Sequence, residues 1–392
     1  MGKTTMKSKR WHTLKDRLKP FIRRVLYYLP VCRNKIVFLN YDGKGYGDNS
    51  KYIAEEILRR NLPYKLVWLV SRNNAYVPNT LRKEGLLGNR GFYELSTAKV
   101  IVNNCKSNLP PDFRKKKNQF YLQTWHGDFA LKFIEKEIET VLSATYLART
   151  KADSAMTDAV VTGSRSFSTI VKESFWLPEK CAILEFGVPR NDLYFQGEAF
   201  KANLRKRMGF SEGERILLYA PTFRDKGETD CYNLDFESVR DVLCQKTGDP
   251  WKIVIRLHPN ITRQADRFRY DNSILNGSVY PDQQELCMIS DCLITDYSSI
   301  MGDFMLMRKP VFLYVPDLER YAGRNTGRGL RDLFYNLPMS FCRTQEELEA
   351  QIAGFDRESF TRDEEAYLQE HYQSIDDGHA SERVVDYLLH IR

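Results

Sequence analysis

Short apolar runs alternate with amphipathic stretches along most of this chain. The runs predict strands at Lys35–Asn40, Lys65–Val70, Lys99–Asn103, Phe120–Gln123, Ala159–Thr162, Ala182–Phe186, Ile216–Tyr219, Lys252–Leu257, Cys292–Thr295 and Val311–Val315. Helical patterns separate most of them. Strands that alternate with helices are typical of mostly parallel sheets covered on both faces. The pattern therefore predicts an α/β fold with two consecutive doubly wound halves and a cleft between them.

The polar positions divide the chain into three parts. Residues 1–34 form a basic amphipathic segment, residues 35–190 a first Rossmann-like domain, and residues 191–392 a second one with closing C-terminal helices. In the first segment, apolar side chains recur at three- and four-residue steps, at Trp11, Leu14, Leu18, Phe21, Ile22, Val25, Leu26 and Leu29. This spacing predicts one amphipathic helix, or two short ones that meet at Pro20.

The net charge of this segment indicates what it could bind. The chain has a formal net charge of +8, yet its first 35 residues carry eleven cations and one acid, so the remainder has a net charge of −2. A basic amphipathic helix of this kind can lie in an anionic membrane interface. The alternative is a helix packed on the body of its own protein. Since the basic residues are confined to one end, a broad nucleic-acid-binding face is not expected.

Composition and cysteine spacing further limit the classes of protein to which the chain can belong. The apolar and charged fractions, 42% and 28%, are those of a globular protein. No apolar run approaches the ~18–20 residues of a membrane-spanning helix, and no signal-peptide pattern is recognised. The eight cysteines show no Cys-x-x-Cys spacing, so we expect buried thiols in a reducing compartment and no zinc site.

A glycine-bearing turn follows the first predicted strand. It reads Asp42-Gly43-Lys44-Gly45-Tyr46-Gly47, and Asp48-Asn49-Ser50 then offers caps for a helix through about Arg60. The spacing differs from the Gly-x-Gly-x-x-Gly dinucleotide fingerprint. We interpret it as a flexible turn.

Polar residues collect where predicted strands end. Thr295, Asp296, Ser298 and Ser299 follow a buried strand and precede a helix. Ligands of open α/β sheets bind at this edge, and hydroxyls with free backbone N–H groups form an anion site there. The alternative is that a serine merely caps the helix.

Two histidines share this placement, one in each half. His126 follows Phe120–Trp125, and His258 follows Ile253–Leu257. A histidine at the ligand-binding edge is suited to proton transfer because its pKa lies near neutrality. A hydrogen-bonded structural histidine is the alternative for either residue.

Arginines accompany the histidines. Arg224 lies in the Ala220–Asp225 segment, Arg256 just before His258, and Arg328-Gly329 after a glycine-rich loop. Arginines at strand ends can clamp a phosphate through paired hydrogen bonds, although surface and salt-bridge roles are the alternative. Asp296 and Asp303 are too few for a dedicated Mg²⁺ site, and no Gly-x-x-x-x-Gly-Lys-Ser/Thr loop is recognised.

Taken together, these motifs resemble those of the CDP-glycerol glycerophosphotransferases. The resemblance rests on Thr124-Trp125-His126-Gly127 with Lys132, Gly163-Ser164, Gly187–Asp192, Tyr219–Asp225, Arg256–Pro259, Thr295–Ser299 with Asp303-Phe304 and Lys309-Pro310, and Asp377–Arg383. It covers Lys35 to Arg392. The family implies a GT-B-like fold of two Rossmann-like domains, attached peripherally to the cytoplasmic face of the cell membrane.

The resemblance also implies roles for individual residues. His126 resembles the proposed general base, and His258 its partner at the leaving diphosphate. The predicted donor and phosphate-binding residues are Trp125, Gly127, Arg190, Thr222, Arg224, Asp225, Arg256, Thr295, Asp296, Ser298, Ser299, Asp303, Arg328 and Gly329. Asp128 and Lys132 are predicted on the acceptor side. Asp128-Phe129 departs from the usual Thr-Pro after the His-Gly pair.

The resulting hypothesis is a transferase of teichoic acid or capsule synthesis. It moves a polyol phosphate from CDP-glycerol or CDP-ribitol to a hydroxyl of a lipid-linked acceptor and releases CMP, with no bound cofactor or metal. A GT-B glycosyltransferase that uses a nucleotide sugar is the first alternative. A non-catalytic protein that binds anionic polymers at the membrane surface is the second.

Overall fold

The computed structural model describes residues 14–71, 75–224, 230–258, 261–323 and 329–391. Over these residues the strands form two parallel sheets. The first contains β1 Cys32–Leu39, β2 Lys65–Val70, β3 Arg82–Gly85, β4 Ala98–Asn103, β5 Phe120–Gln123, β6 Ala159–Thr162 and β7 Ala182–Glu185, in the spatial order β3-β2-β1-β4-β5-β6-β7. The second contains β8 Arg215–Tyr219, β9 Trp251–Ile255, β10 Ile274–Asn276, β11 Cys292–Thr295, β12 Val311–Tyr314 and β13 Phe341–Cys342, in the order β10-β9-β8-β11-β12-β13.

Helices cover both faces of each sheet. They are α1 Leu14–Tyr27, α2 Asp48–Arg59, α3 Asn89–Thr97, α4 Ala144–Met156, α5 Arg165–Ser174, α6 Gly197–Arg207, α7 Phe236–Thr247, α8 Gln283–Ile289, α9 Ile300–Leu306, α10 Leu318–Ala322, α11 Asp332–Tyr335, α12 Gln345–Ala353, α13 Arg357–Tyr367 and α14 Ala380–Leu389. Among the described helices, none is both long and apolar enough to cross a membrane.

Alternate residues of each central strand face opposite cores. In β1, Ile36 and Phe38 pack on one side and Val37 and Leu39 on the other, and all four are fully buried. Because successive side chains of a strand point to opposite faces, burial on both faces requires a continuous apolar run. This is why the apolar runs were reliable strand signals, and each predicted strand is present.

The strands that the sequence missed lie at sheet edges. They are β3, β10 and β13, which are short and only partly buried. An edge strand pairs with one strand only, and its side chains can face water. β3 accordingly forms without an apolar run, with the sequence Arg82-Lys83-Glu84-Gly85. The predicted doubly wound α/β architecture is confirmed.

The last helix returns to the first sheet. Val384, Val385 and Leu388 of α14 lie in the apolar core that β1 and β2 form with α2, and Arg60 of α2 pairs with Asp386. The sequence pattern predicted this helix as part of the second domain, residues 191–392. Its apolar face packs across the division predicted at residue 190.

The described part of the basic segment contains one helix, α1, and its last three residues begin β1. Pro20 lies inside α1. The buried Arg23 contacts Asp112, the Leu87 carbonyl and the ring of Phe92. The helix thus packs on α3 along one side, as the alternative interpretation required. Other apolar side chains of the helix remain exposed, at Leu18, Phe21, Ile22 and Val25, as does Tyr28 just after it. Residues 1–13 lie outside the described residues.

The docking of α14 can be tested with two adjacent leucines. Leu388 is 3% exposed and Leu389 is 44% exposed. We expect Leu388→Ala to lower the free energy of unfolding by about 2–5 kcal/mol, because it empties a buried site. Leu389→Ala should change it by less than about 0.5 kcal/mol. Urea unfolding followed by tryptophan fluorescence measures both, and equal effects would contradict the packing of α14 on the first sheet.

Candidate active site at the junction of the two sheets

The segment after β5 is held in an unusual backbone conformation. Trp125 has φ = +50°, which is uncommon for a residue with a Cβ. Asn49 holds this conformation, since its Nδ2 donates to the carbonyls of Thr124 (3.2 Å) and Trp125 (3.1 Å). Arg190 Nη1 donates to the next carbonyl, that of His126, at 2.8 Å. The backbone on both sides of the His126 ring is thereby fixed by side chains from distant segments.

The imidazole of His126 has a defined tautomer. Its Nδ1 lies 2.7 Å from the carbonyl oxygen of Asn104 and 3.7 Å from the Cys105 Sγ. A carbonyl oxygen only accepts hydrogen bonds, so Nδ1 carries the hydrogen and, in the neutral ring, Nε2 carries the lone pair. The ring also contacts Trp125, with centroids 4.3 Å apart, and the edge of Tyr41, at 5.5 Å. If His126 acts as a base, Nε2 is the atom that takes the proton.

His258 has the predicted placement on the second sheet. It follows β9, is half-buried, and packs against Phe223 with ring centroids 4.5 Å apart. Its carbonyl accepts a hydrogen bond from Ile261 N at 2.9 Å. The residue before it, Leu257, is anchored through its N–H to Ser278 Oγ at 2.9 Å. His258 thus lies at the carboxyl edge of its sheet, as the sequence predicted.

The histidine segment of the first sheet meets the serine pair of the second. A Cβ on Gly127 would lie 2.9 Å from Ser299 Oγ, and a Cβ on Gly302 would lie 2.6 Å from Phe129 Cβ. Each value is too short for an ordinary contact. Glycine at both positions therefore allows α9 to approach the segment that carries His126, and it brings Gly127 together with Ser299.

The contact that Ser298 makes agrees in part with the alternative that a serine caps the helix. Its Oγ lies 3.4 Å from Ile300 N, at the first turn of α9. Both serines are half-buried, and the Ser299 hydroxyl faces Gly127 across the junction. Their predicted role in binding phosphate stays a prediction.

Arg190 and Arg224 are engaged in buried ion pairs. Arg190 Nη1 lies 2.9 Å from Asp48 Oδ2, and its Nη2 lies 3.6 Å from Asp303 Oδ1. Arg224 pairs with Asp317 at 2.7 Å and with Asp296 at 2.9 Å. Burial lowers the pKa of both arginines, but these carboxylates outweigh it and hold each pKa above its ordinary value. In this conformation both guanidinium groups bind protein carboxylates.

Arg256 differs from both. Its Nη1 donates to the carbonyls of Gly277 (2.9 Å) and Tyr280 (2.7 Å), and no carboxylate of the described residues lies within 4 Å of it. Burial accordingly lowers the pKa of Arg256, and the nearby Cys287, Asp282 and Tyr41 only partly oppose this shift. Arg256 is therefore a half-buried cation without an ion pair among the described residues, held at the end of β9 by backbone carbonyls.

Several predicted donor residues hold the second sheet together. Thr295 Oγ1 donates to the Ala220 carbonyl at 2.7 Å, and Asp296 Oδ1 accepts from Thr222 N at 2.8 Å and Tyr297 N at 2.6 Å. Within the described residues, the buried Thr222 Oγ1 has no hydrogen-bond partner. Thr222 thus retains an unused hydroxyl, while Thr295 and Asp296 are occupied by contacts between the ends of β8 and β11.

Asp128 and Asp303 are buried acids. Asp128 accepts from Gly163 N at 2.8 Å and from Tyr372 OH at 2.9 Å. Asp303 Oδ2 is buried without a hydrogen-bond partner in the described residues. Burial raises the pKa of each to about 6. The contacts of Asp128 are internal, so they give no support to its predicted acceptor role, which stays a prediction.

The remaining predicted residues lie apart from the ring of His126 or outside the described residues. The segment of Lys132 pairs with that of Leu330, and Gly329, at φ = +72°, lies against Phe133. Asp225 and Arg328 fall outside the described residues. No group of three metal-binding side chains occurs among the residues that were placed.

The sequence analysis did not identify the residues that hold the His126 ring and the backbone next to it. They are Tyr41, Asp48, Asn49 and Asn104. The only signal was the glycine-bearing turn, which brings the chain from β1 into α2.

Comparison with known proteins gives concordant findings. A family model described as CDP-Glycerol:Poly(glycerophosphate) glycerophosphotransferase matches residues 21–390. The chain is 29% identical over 375 residues to a teichoic acid poly(glycerol phosphate) polymerase of Staphylococcus epidermidis, with 91% of this chain and 50% of that protein covered. It is 28% identical over 412 residues to a Bacillus spizizenii protein of the same description, with 98% of this chain and 100% of that protein covered. The chain thus spans half the length of the first relative and all of the second.

A solved structure agrees over both sheets. A histidine variant of the wall teichoic acid polymerase TagF, soaked with CDPG, superposes with a TM-score of 0.82 at 27% identity, covering 95% of this chain and 93% of that one. The predicted family resemblance and its GT-B-like architecture are confirmed.

The buried state of Asp128 predicts a pH dependence of stability. Its pKa is raised from 3.8 to about 6 in the folded protein. Folded Asp128 therefore binds protons more readily than unfolded Asp128, and this contribution to stability is lost as pH rises through about 6. We expect the fall in unfolding free energy from pH 4.5 to pH 7.5 to be smaller in Asp128→Asn, by on the order of 2 kcal/mol.

Urea unfolding of both proteins at the two pH values measures this difference. Buried acids that Asp128 does not influence, such as Glu364 with a pKa raised to about 8, contribute equally to both proteins. The same pH dependence in both would show that Asp128 is ionised normally.

Proposed function

Since the chain belongs to the CDP-glycerol:poly(glycerophosphate) glycerophosphotransferase family, we propose that it transfers a polyol phosphate from a CDP-activated donor to a hydroxyl of a lipid-linked acceptor. CMP is the second product, and the pathway is teichoic acid or capsule-type polymer synthesis. The observation that carries the proposal is the junction of His126-Gly127 with Ser299. It sets a proton acceptor beside the carboxyl edge of the second sheet, where an anionic donor would bind.

In the proposed reaction, His126 Nε2 takes the proton of the acceptor hydroxyl. The acceptor oxygen forms a bond to the β-phosphorus of the donor as the bond from that phosphorus to the bridging oxygen breaks. The bridging oxygen leaves with the electron pair as part of CMP. Phosphoryl transfer depends mainly on positioning and on neutralising charge. Proton removal contributes typically ~10²–10⁴-fold.

Charge on the diphosphate is neutralised from the second sheet in this scheme. Arg256 supports the role better than Arg190 or Arg224, because it lacks a carboxylate partner among the described residues. His258, two residues after Arg256, is proposed to act at the leaving CMP. Ser298, Ser299 and Thr222 are proposed to supply hydroxyls, and Arg328 and Asp225 remain proposed contributors.

The donor is proposed to be CDP-glycerol or CDP-ribitol. The family description and the CDPG-soaked TagF structure support the glycerol form. Incubating the protein with CDP-glycerol, CDP-ribitol and UDP-sugars, together with a lipid-linked acceptor, and measuring released CMP or UDP tests the proposal. Mass spectrometry of the extended acceptor identifies the transferred group. Release of UDP alone would favour the glycosyltransferase alternative.

The histidine variants test the mechanism. We expect His126→Ala to lower kcat for CMP release at least about 10²-fold while CDP-glycerol binding is retained, because the base acts only on the acceptor. His390→Ala is the matched control, since His390 is exposed at the end of α14. Near-normal turnover by folded His126→Ala would remove His126 from the mechanism.

Peripheral attachment to the cytoplasmic face of the membrane is part of the proposal. The exposed apolar side chains of α1 support it, together with the neighbouring cations Lys19 and Arg24. An apolar stripe flanked by cations binds an anionic bilayer through buried area and charge together.

Vesicle sedimentation tests this attachment. We expect the protein to pellet with vesicles of 30% phosphatidylglycerol more than with neutral vesicles, and the double variant Phe21→Ser/Val25→Ser to pellet at least about five-fold less. Tyr335→Ser is the control, because Tyr335 is a similarly exposed aromatic residue on the second lobe. Equal loss in the control and the double variant would contradict attachment through α1.

A further inference from the structure

The glycine-bearing turn after β1 is fixed in place. Gly43 has φ = +76°, and a Cβ there would lie 2.4 Å from Ser71 N. The carbonyl of Gly43 accepts from Ser71 N at 2.8 Å, and that of Gly45 accepts from the indole of Trp68 at 3.0 Å. These contacts contradict the flexible turn expected from the sequence. The turn delivers its flanking residues, Tyr41 and Asp48, to defined positions.

Asp48 does not cap α2 as predicted. The N-cap is Gly47, and Asp48 has φ = +54°. Tyr41, at φ = +39°, is also in the left-handed region. Backbone strain of this kind persists only where surrounding contacts over-determine it, and such sites concentrate near function.

The Asp48 carboxylate is buried and fully hydrogen-bonded. Oδ1 accepts from Asn49 N at 2.7 Å, and Oδ2 accepts from Tyr41 OH at 2.7 Å and from Arg190 Nη1 at 2.9 Å. Burial raises its pKa, but Arg190 and these hydrogen bonds outweigh burial and hold the pKa below its ordinary value. Asp48 is therefore ionised at neutral pH.

Both long-range partners of Asp48 also contact His126. Tyr41 packs edge-on against the imidazole, with centroids 5.5 Å apart and planes at 62°. Arg190 Nη1 donates to the His126 carbonyl at 2.8 Å as well as to Asp48. The carboxylate thus fixes the ring through one partner and the backbone through the other.

The buried charges next to the His126 backbone are negative in sum. Arg190 is the one cation in a buried set with Asp48 and Asp303, so the three groups sum to −1 when both acids are ionised. The titratable or charged groups around His126 come from several elements: Tyr41 and Asp48 at the turn, Cys105 after β4 and Arg190 before α6. Asp303 on α9 contacts Arg190, and Asp42 and Lys44 of the turn act on Cys105.

We propose that Asp48 is the positioning residue of the His126 base, acting through Tyr41 and Arg190 to fix the imidazole and to stabilise the positive charge it gains when it takes the acceptor proton. Asp48 itself contacts no reacting atom in this arrangement. The inference rests on the proposed function, because it assigns a partner to the base of that reaction.

The test is Asp48→Asn, which preserves shape and removes the charge. We expect kcat to fall about ten-fold or more with KM for CDP-glycerol changed less than about three-fold, because the interaction grows only as His126 gains its proton. The pKa of His126, followed by NMR of protein labelled with [13Cε1]histidine and assigned with His126→Gln, should fall by about 0.5–1 unit. Tyr41→Phe, which keeps the carboxylate, should change both quantities less.

The chain offers a matched control in Asp282, the N-cap residue of α8, whose partners Lys51 and Tyr52 lie on α2 as Asp48 does. Asp282 is likewise buried and accepts from Tyr52 OH at 3.1 Å and from Lys51, so Asp282→Asn removes a similar charge from a similar pair. We expect it to lower stability while the pKa of His126 and kcat are kept. An unchanged His126 pKa in folded Asp48→Asn, or equal shifts in both variants, would overturn the inference. Absence of CMP release by the unaltered protein would instead overturn the proposed function, and the NMR titration would still decide the role of Asp48.

Discussion

The junction of the two sheets depends on one buried guanidinium, that of Arg190. It contacts Asp48 and the His126 carbonyl beside the first sheet and Asp303 beside the second sheet. Removing a buried cation from two carboxylates costs about 3–5 kcal/mol, because the charges left behind are uncompensated. The remaining junction contacts follow this arrangement. Gly127 faces the Ser299 side chain and Gly302 faces the Phe129 side chain at separations that exclude a Cβ, so the backbone on each side of the junction lies against a side chain of the other side.

The same contact explains why a buried polar set is retained here. A well-packed apolar junction would be at least as stable as an ion-paired one. An arginine that donates to a backbone carbonyl fixes the orientation of that peptide, which an apolar contact cannot do. Dipoles and charges that are already oriented need no reorganisation when charge develops, and this is usually the largest contribution to catalysis. The cost of burying Asp48, Arg190 and Asp303 is consistent with such a role.

The sequence predicted the fold well and the roles of its polar residues unevenly. Central strands were recognisable because both faces are buried, whereas β3 and β13 form at edges with little apolar content. His126 and His258 were identified because each directly follows a strand. The ion pairs of Arg190 and Arg224 could not be foreseen, since the partners Asp48 and Asp317 lie 142 and 93 residues away in the chain. An arginine at a strand end looks the same in sequence whether a phosphate or a carboxylate meets it.

The charges around each arginine, rather than its position in the sequence, indicate whether it is suited to bind a phosphate or a protein carboxylate. A guanidinium that already has two carboxylates would have to give them up to bind a diphosphate, which leaves buried acids unpaired. Among the described residues, Arg256 donates to backbone carbonyls alone, and burial lowers its pKa. A partly desolvated cation without a counter-charge is costly. On the proposed function, a diphosphate bound there would lower that cost and so gain affinity. On the proposed function, the arginine that is least satisfied in the protein alone is the one best suited to the donor.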